Sequence, residues 1–166
     1  MRKLLTVLIC SVALAGAQSP RRAPGFALPD TKLHFHDLAD YRGRVLVLEF
    51  MQTTCPHCAK FADILAQVHG KYGDKVAVLA VTNVNTDRPQ QIDQYTSGHK
   101  ITYPVVMDQG QMMFSYVLSP QGADVPHVYV IDANGFIRAD YVYGLTTHDI
   151  FEGNGLFAEI DKALKK

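Results

Sequence analysis

The stretch Val45-Leu46-Val47-Leu48-Glu49-Phe50 constrains the fold of this chain more than any other. It is a continuous run of β-branched and large apolar residues with no polar alternation, the pattern of a strand buried on both faces in the middle of a sheet. Glu49 alone breaks it. The turn Tyr41-Arg42-Gly43-Arg44 feeds the strand, and Cys55 follows it within a few residues. From Pro56 to about Tyr72, Phe61, Ile64, Leu65 and Val68 recur at helical spacing, with Pro56 suited to a first helical position. Val76 to Thr82 predicts a second buried strand.

The rest of the chain alternates in the same way. Asp87-Arg88-Pro89 opens a polar helix through about Ser97, ended by Gly98. Tyr103 to Met107 reads as a strand or extended segment and Gln111 to Leu118 as a short helix. Val125 to Ile131 is a strand entered through Pro126. Asp132-Ala133-Asn134-Gly135 is a hairpin turn, with Phe136 to Tyr143 returning. A closing helix from about Thr147 to Leu164 is interrupted near Gly153-Asn154-Gly155. Before the first buried strand, Lys32 to Asp37 alternates polar and apolar residues, as a short edge strand or hairpin does. The order predicts an α/β fold around a central mixed sheet whose last strands are antiparallel.

The N-terminus carries a different signal. Arg2 and Lys3 precede an uncharged apolar stretch from Leu4 to Ala15, and Ala15-Gly16-Ala17 supplies small residues for cleavage before Gln18. This is the layout of a secretory signal peptide, and the apolar stretch is shorter than the roughly 20 residues of a spanning helix. Residues 1–17 are therefore expected to be removed on export. Residues 18–30 read as an extended lead-in and residues 31–166 as one domain. Formal net charge is zero, which excludes the basic footprint of a nucleic-acid binder.

Without Cys10 in the signal peptide, the chain keeps two cysteines, in Cys55-Pro56-His57-Cys58. A bridge closing so small a loop constrains the unfolded chain very little, so the pair is there for reactivity. The nucleophile of disulfide exchange is the thiolate. Cys55 sits at the predicted N-terminus of a helix, where free N–H groups and the helix dipole favour negative charge. His57 can add a hydrogen bond or positive charge. Cys58, one turn further in, can close the disulfide. Cys55 is thus expected to attack and Cys58 to resolve. Metal sites use the same spacing, so a copper- or zinc-binding module on these cysteines is the alternative. Structural zinc normally needs two more ligands at matching spacing, and His34, His36, His69, His99, His127 and His148 form no second pair beside the motif. No cofactor is expected.

From about Phe26 to Leu164 the chain resembles the thioredoxin superfamily, specifically its extracytoplasmic TlpA/ResA-like branch, which is related to the redoxins. The passage Val45–Cys58, Tyr103-Pro104-Val105-Val106-Met107-Asp108, and Val125-Pro126 leading to Ile131-Asp132-Ala133-Asn134-Gly135 carry the resemblance. It implies a thioredoxin-like fold, with the helix and strand between Pro89 and Met107 as the insertion of that branch. It implies a cis Pro126 facing the disulfide, which would hold the backbone at Val125 beside Cys55 and make Val125 and His127 substrate contacts. It also implies that Glu49 is the buried carboxylate exchanging protons with Cys58. The expected partners are thiols or disulfides of exported proteins, apocytochrome c haem-site cysteines among them, and a membrane or soluble redox partner.

The chain departs from that pattern in places. Thr54 stands where many relatives carry Trp. The Pro-His dipeptide resembles that of the oxidising DsbA type, on a scaffold of a branch that is often reductive. Lowering a cysteine pKa from about 8.5 to about 3.5 is worth roughly 7 kcal/mol. The span between a reductant near −270 mV and an oxidant near −120 mV is also about 7 kcal/mol for two electrons. Thiolate stabilisation alone therefore covers the whole range of roles. The peroxidases among the redoxin relatives place Thr or Ser three residues before the cysteine and Pro further upstream; here those positions are Gln52 and Leu48.

Overall fold

The computed structural model of the protein describes residues 20–117 and 124–166. The expected signal peptide, with Cys10, lies outside the described residues, as does Leu118 at the end of the short helix.

Short strands β1 (Ala27–Pro29) and β2 (Phe35–Asp37) pair antiparallel as a hairpin. The central sheet contains β3 (Val45–Met51), β4 (Val76–Asn83), β5 (Val105–Asp108), β6 (His127–Ile131) and β7 (Ile137–Val142), in the order β5-β4-β3-β6-β7. β3, β4 and β5 run parallel, while β6 is antiparallel to β3 and to β7. The sheet is mixed, as the alternation of elements predicts. β3 lies at its centre and all seven of its residues are buried, which explains its lack of polar alternation.

Strand parity sorts the core into two sides. Val45, Val47, Val128 and Val130 face α1 (Pro56–Tyr72), packing on Phe61, Leu65 and Val68. Leu46, Leu48, Phe50, Tyr129 and Ile131 face the other way, onto Phe26 and α3 (Gln111–Tyr116). Between these helices in chain order, α2 (Pro89–Gly98) places Ile92 and Tyr95 on the α1 side, beside Cys58 and Ala80. The closing segment splits into α4 (His148–Phe151) and α5 (Asn154–Ala163). Gly153 makes the break: its φ is +104°, which strains any side-chain-bearing residue, and a Cβ there would lie 3.1 Å from Ile64.

The lead-in is stitched to the sheet through an antiparallel bridge between Arg22 and Phe136. Ala23 N–H donates to the Gly135 carbonyl at 2.9 Å, Ile137 N–H donates to the Arg21 carbonyl at 2.8 Å, and Tyr116 donates its hydroxyl to the Pro24 carbonyl at 2.7 Å. The hairpin turn folds around the Asp132 carboxylate, which accepts from Asn134 N–H and Phe136 N–H and holds Arg138 at 2.6 Å.

Candidate active site

β3 ends at Met51, and a short loop carries the chain into α1 at Pro56. Cys55 is the residue that caps this helix. Its backbone is extended, and its sulfur accepts the Cys58 N–H at 3.1 Å. The first N–H groups of a helix have no partner within it, so the Cys55 sulfur occupies the place where a capping Ser or Asp oxygen would sit. The sulfur thus stands where the free N–H groups of the first turn point. Pro56 removes one donor that would have no partner and presets the helical φ.

Across from Cys55 the Val125–Pro126 peptide is cis, as the resemblance implies. The Cys55 thiol donates to the Val125 carbonyl at 3.7 Å. Cys55 is half-buried, while Cys58 is only 1% exposed. Both are free thiols. Burial pushes the Cys58 thiol well above its ordinary range, and the charge of Glu49 and the hydrogen bond with Cys55 push it the same way.

Glu49 is also 1% exposed. It shares parity with Val47 and Met51, so its side chain lies on the α1 side of the sheet, with Cys58. Burial raises its carboxyl well above the usual range, because desolvation disfavours the charged form. One of its oxygens, Oε1, has no hydrogen-bond partner.

His57 is exposed and stacks on Tyr143, with ring centroids 4.1 Å apart. Tyr143 meets Phe151 edge-on at 5.4 Å, and Phe151 packs on Phe61 at 4.8 Å. An aromatic column thus links the motif histidine to the core. A cleft of about 350 Å³ lies beside it, lined by His57, Lys60, Ile64, Tyr143, His148 and Phe151.

His127 has a different setting. It pairs with Phe50 in the β3–β6 register and shares that residue's side of the sheet, away from α1. Its Nε2 lies 2.6 Å from the Asp140 carboxylate, and its ring stacks on Tyr129 at 4.6 Å. The structure therefore gathers Cys55, Pro56, His57, Cys58, Glu49, Val125 and Pro126 at one end of the sheet, while the imidazole of His127 lies on the other side.

Sequence reasoning missed Asp87. Its carboxylate is 1% exposed and accepts the Thr53 N–H at 3.2 Å and the hydroxyls of Thr53 and Thr82. It therefore fixes the loop that delivers Cys55. The only sequence signal was its place before Pro89, which reads as a helix opening and nothing more. Tyr143 was missed as well, as the last residue of a strand.

Among the described residues, no group of three or more His, Cys, Asp and Glu side chains could hold a metal ion. No described helix is long and apolar enough to cross a membrane.

The family model described as AhpC/TSA matches residues 20–140. The thiol-disulfide oxidoreductase ResA of Geobacillus kaustophilus (strain HTA426) is 32% identical over 133 residues, which is 77% of this chain and 71% of that protein. A Mycobacterium tuberculosis (strain H37Rv) protein named as a peroxiredoxin, Rv2521, is 31% identical over 73% of this chain and 74% of its own length. Among solved structures, a thiol:disulfide interchange protein DsbE from Chlorobium tepidum superposes with a TM-score of 0.74. It is 24% identical and covers 87% of this chain and 96% of its own, a likeness of fold.

Proposed function

The chain belongs to the AhpC/TSA family, as a thioredoxin-like thiol–disulfide oxidoreductase of the TlpA/ResA-like branch, and on that footing we propose that it exchanges disulfides with exported protein thiols through Cys55-Pro56-His57-Cys58. The observation that carries the reading is the capping of α1 by the Cys55 sulfur, at 3.1 Å from the Cys58 N–H. A thiolate there is stabilised before it meets a substrate.

In the reducing direction, the Cys55 thiolate attacks a substrate disulfide and expels one substrate thiolate. A Cys55–substrate mixed disulfide remains. Cys58 gives its proton to the Glu49 carboxylate, and the new thiolate attacks the Cys55 sulfur. The second substrate sulfur leaves and takes up a proton. Two electrons have passed to the substrate, and Cys55 and Cys58 are joined. The reverse sequence oxidises a dithiol.

In this reading His57 and Pro56 shape the helix start at Cys55. Val125 and Pro126 offer backbone to a substrate chain, whose strand-like pairing supplies affinity without side-chain selectivity. His127, held by Asp140 and Tyr129, anchors the start of β6 and leaves substrate contact to the residues before it. Residues 1–17 direct export and are removed. The substrates are thiols of exported proteins, with apocytochrome c haem-site cysteines as candidates, and a membrane or soluble redox partner resets the couple.

Insulin reduction and trapping test the proposal together. Cys55→Ser is expected to abolish exchange, and Cys58→Ser to accumulate mixed disulfides with partners. A tight stoichiometric copper or zinc complex without exchange activity would favour the metal-binding alternative. Rapid peroxide consumption without insulin reduction would favour the chemistry named for the M. tuberculosis relative.

A further inference from the structure

Two buried polar side-chain atoms among the described residues have no hydrogen-bond partner: Glu49 Oε1 and the hydroxyl of Tyr103. Buried polar atoms are nearly always paired, so two such atoms in one neighbourhood need a physical reason. They do share a neighbourhood. Glu49, Ala80 and Val105 form one row across β3, β4 and β5. Tyr103 stands two residues before Val105, on the same side of the sheet, and packs against the apolar cluster that holds Cys58, Ala80, Tyr95 and Val105. Its ring is half-buried and lines an open cleft of about 500 Å³ beside Leu65 and His69, while its hydroxyl is turned inward.

We propose that Tyr103 is a positioning residue for the resolving step, its hydroxyl donating through one bound water to Glu49 Oε1 and so holding the carboxylate that takes the proton from Cys58. This rests on the reading of Glu49 as proton acceptor. A water between the two atoms satisfies both, and such sites need only two to four polar partners. The proton moves from the Cys58 sulfur to Glu49 and leaves through the water once the disulfide has formed. Tyr103 gains and loses none.

The groups that act on this pocket are Cys55, Cys58 and Asp63 from α1, Tyr95 from α2, and Tyr103. His99 stacks on Tyr95 at 4.6 Å. Burial first and the Glu49 charge next hold the Tyr103 hydroxyl protonated, which keeps it a donor. Asp63 and the thiols bring no positive charge to Glu49, so a hydrogen bond is the available means of favouring its charged form.

Mixing the reduced protein with a chromogenic aromatic disulfide separates the steps. The first release of chromophore reports attack by Cys55 and the second reports resolution by Cys58. Tyr103→Phe, which keeps the ring, is expected to leave the first phase unchanged, showing an intact fold. The second phase should slow about tenfold at pH 7, its pH midpoint moving up by about one unit. Infrared spectra should show the protonated Glu49 carboxyl persisting to higher pH in the same variant. In a Glu49→Gln background, Tyr103→Phe should add nothing. An unchanged second phase in Tyr103→Phe, or equal slowing in both backgrounds, overturns the role of Tyr103. If Glu49→Gln itself leaves the second phase untouched, the reading of Glu49 fails and the Tyr103 role falls with it.

Discussion

Cys55 and Cys58 stand three residues apart at the start of one helix, yet their surroundings have little in common. The Cys55 sulfur is at the helix mouth, half-exposed, receiving one backbone N–H and facing the Val125 carbonyl. The Cys58 sulfur is inside, 1% exposed, and the charge of Glu49 adds to burial in holding its proton. One sulfur is open to a partner beside a backbone donor, while burial holds the other as a thiol. The difference teaches that a symmetric motif acquires direction from what the fold places around it. The helix N-terminus acts on the outer sulfur, and the strand before the helix supplies Glu49 to the inner one.

The sharpest way to break this contrast is to change the inner setting. Glu49→Gln should slow resolution by Cys58 about 10²-fold, the usual worth of a positioned acid–base group, with attack by Cys55 unaffected. The same variant should be more stable than the wild type near neutrality. The Glu49 carboxyl is raised above 4.5 in the folded protein. The native state therefore favours its neutral form, and that contribution is fully present below the unfolded value. It is lost as the pH rises through the folded value. Urea denaturation should accordingly show a stability gain for Glu49→Gln at pH 7 that disappears near pH 4.

The outer setting rests on the loop held by Asp87. Asp87→Ala leaves the Thr53 N–H and two threonine hydroxyls without their acceptor, at a cost of about 2–4 kcal/mol. Denaturation should show that loss, together with slower attack by Cys55. A smaller change follows from releasing His57. Tyr143→Ala removes a stacking contact worth about 1 kcal/mol, and attack by Cys55 should change by a few-fold while resolution by Cys58 does not. An effect on both phases would mean that the two environments are not separable.

Much of this contrast was legible in the sequence because its carriers are local. β3, α1 and the hairpin announce themselves through their period, and the cap at Cys55 follows from where the strand stops and Pro56 begins. Glu49 stood out as a lone charge in an apolar run. The supports for the site were not legible, since they join distant segments: Asp87 reaches back 34 residues to Thr53, and Tyr143 meets His57 from the far end of the chain. His127 was within reach of parity. Once β6 starts beside Pro126, alternation aligns His127 with Tyr129 and Ile131, on the side away from α1. Residue counting along the strand would have separated its side chain from the motif.

The division between the two sulfurs is tested most directly by alkylating the reduced protein across a range of pH and reading each cysteine separately by mass spectrometry. Cys55 should be modified readily at neutral pH, while Cys58 stays protected until the protein is unfolded or the solution strongly alkaline. Modification of Cys58 at the same rate as Cys55, or ahead of it, would contradict the assignment of attacking and resolving thiols.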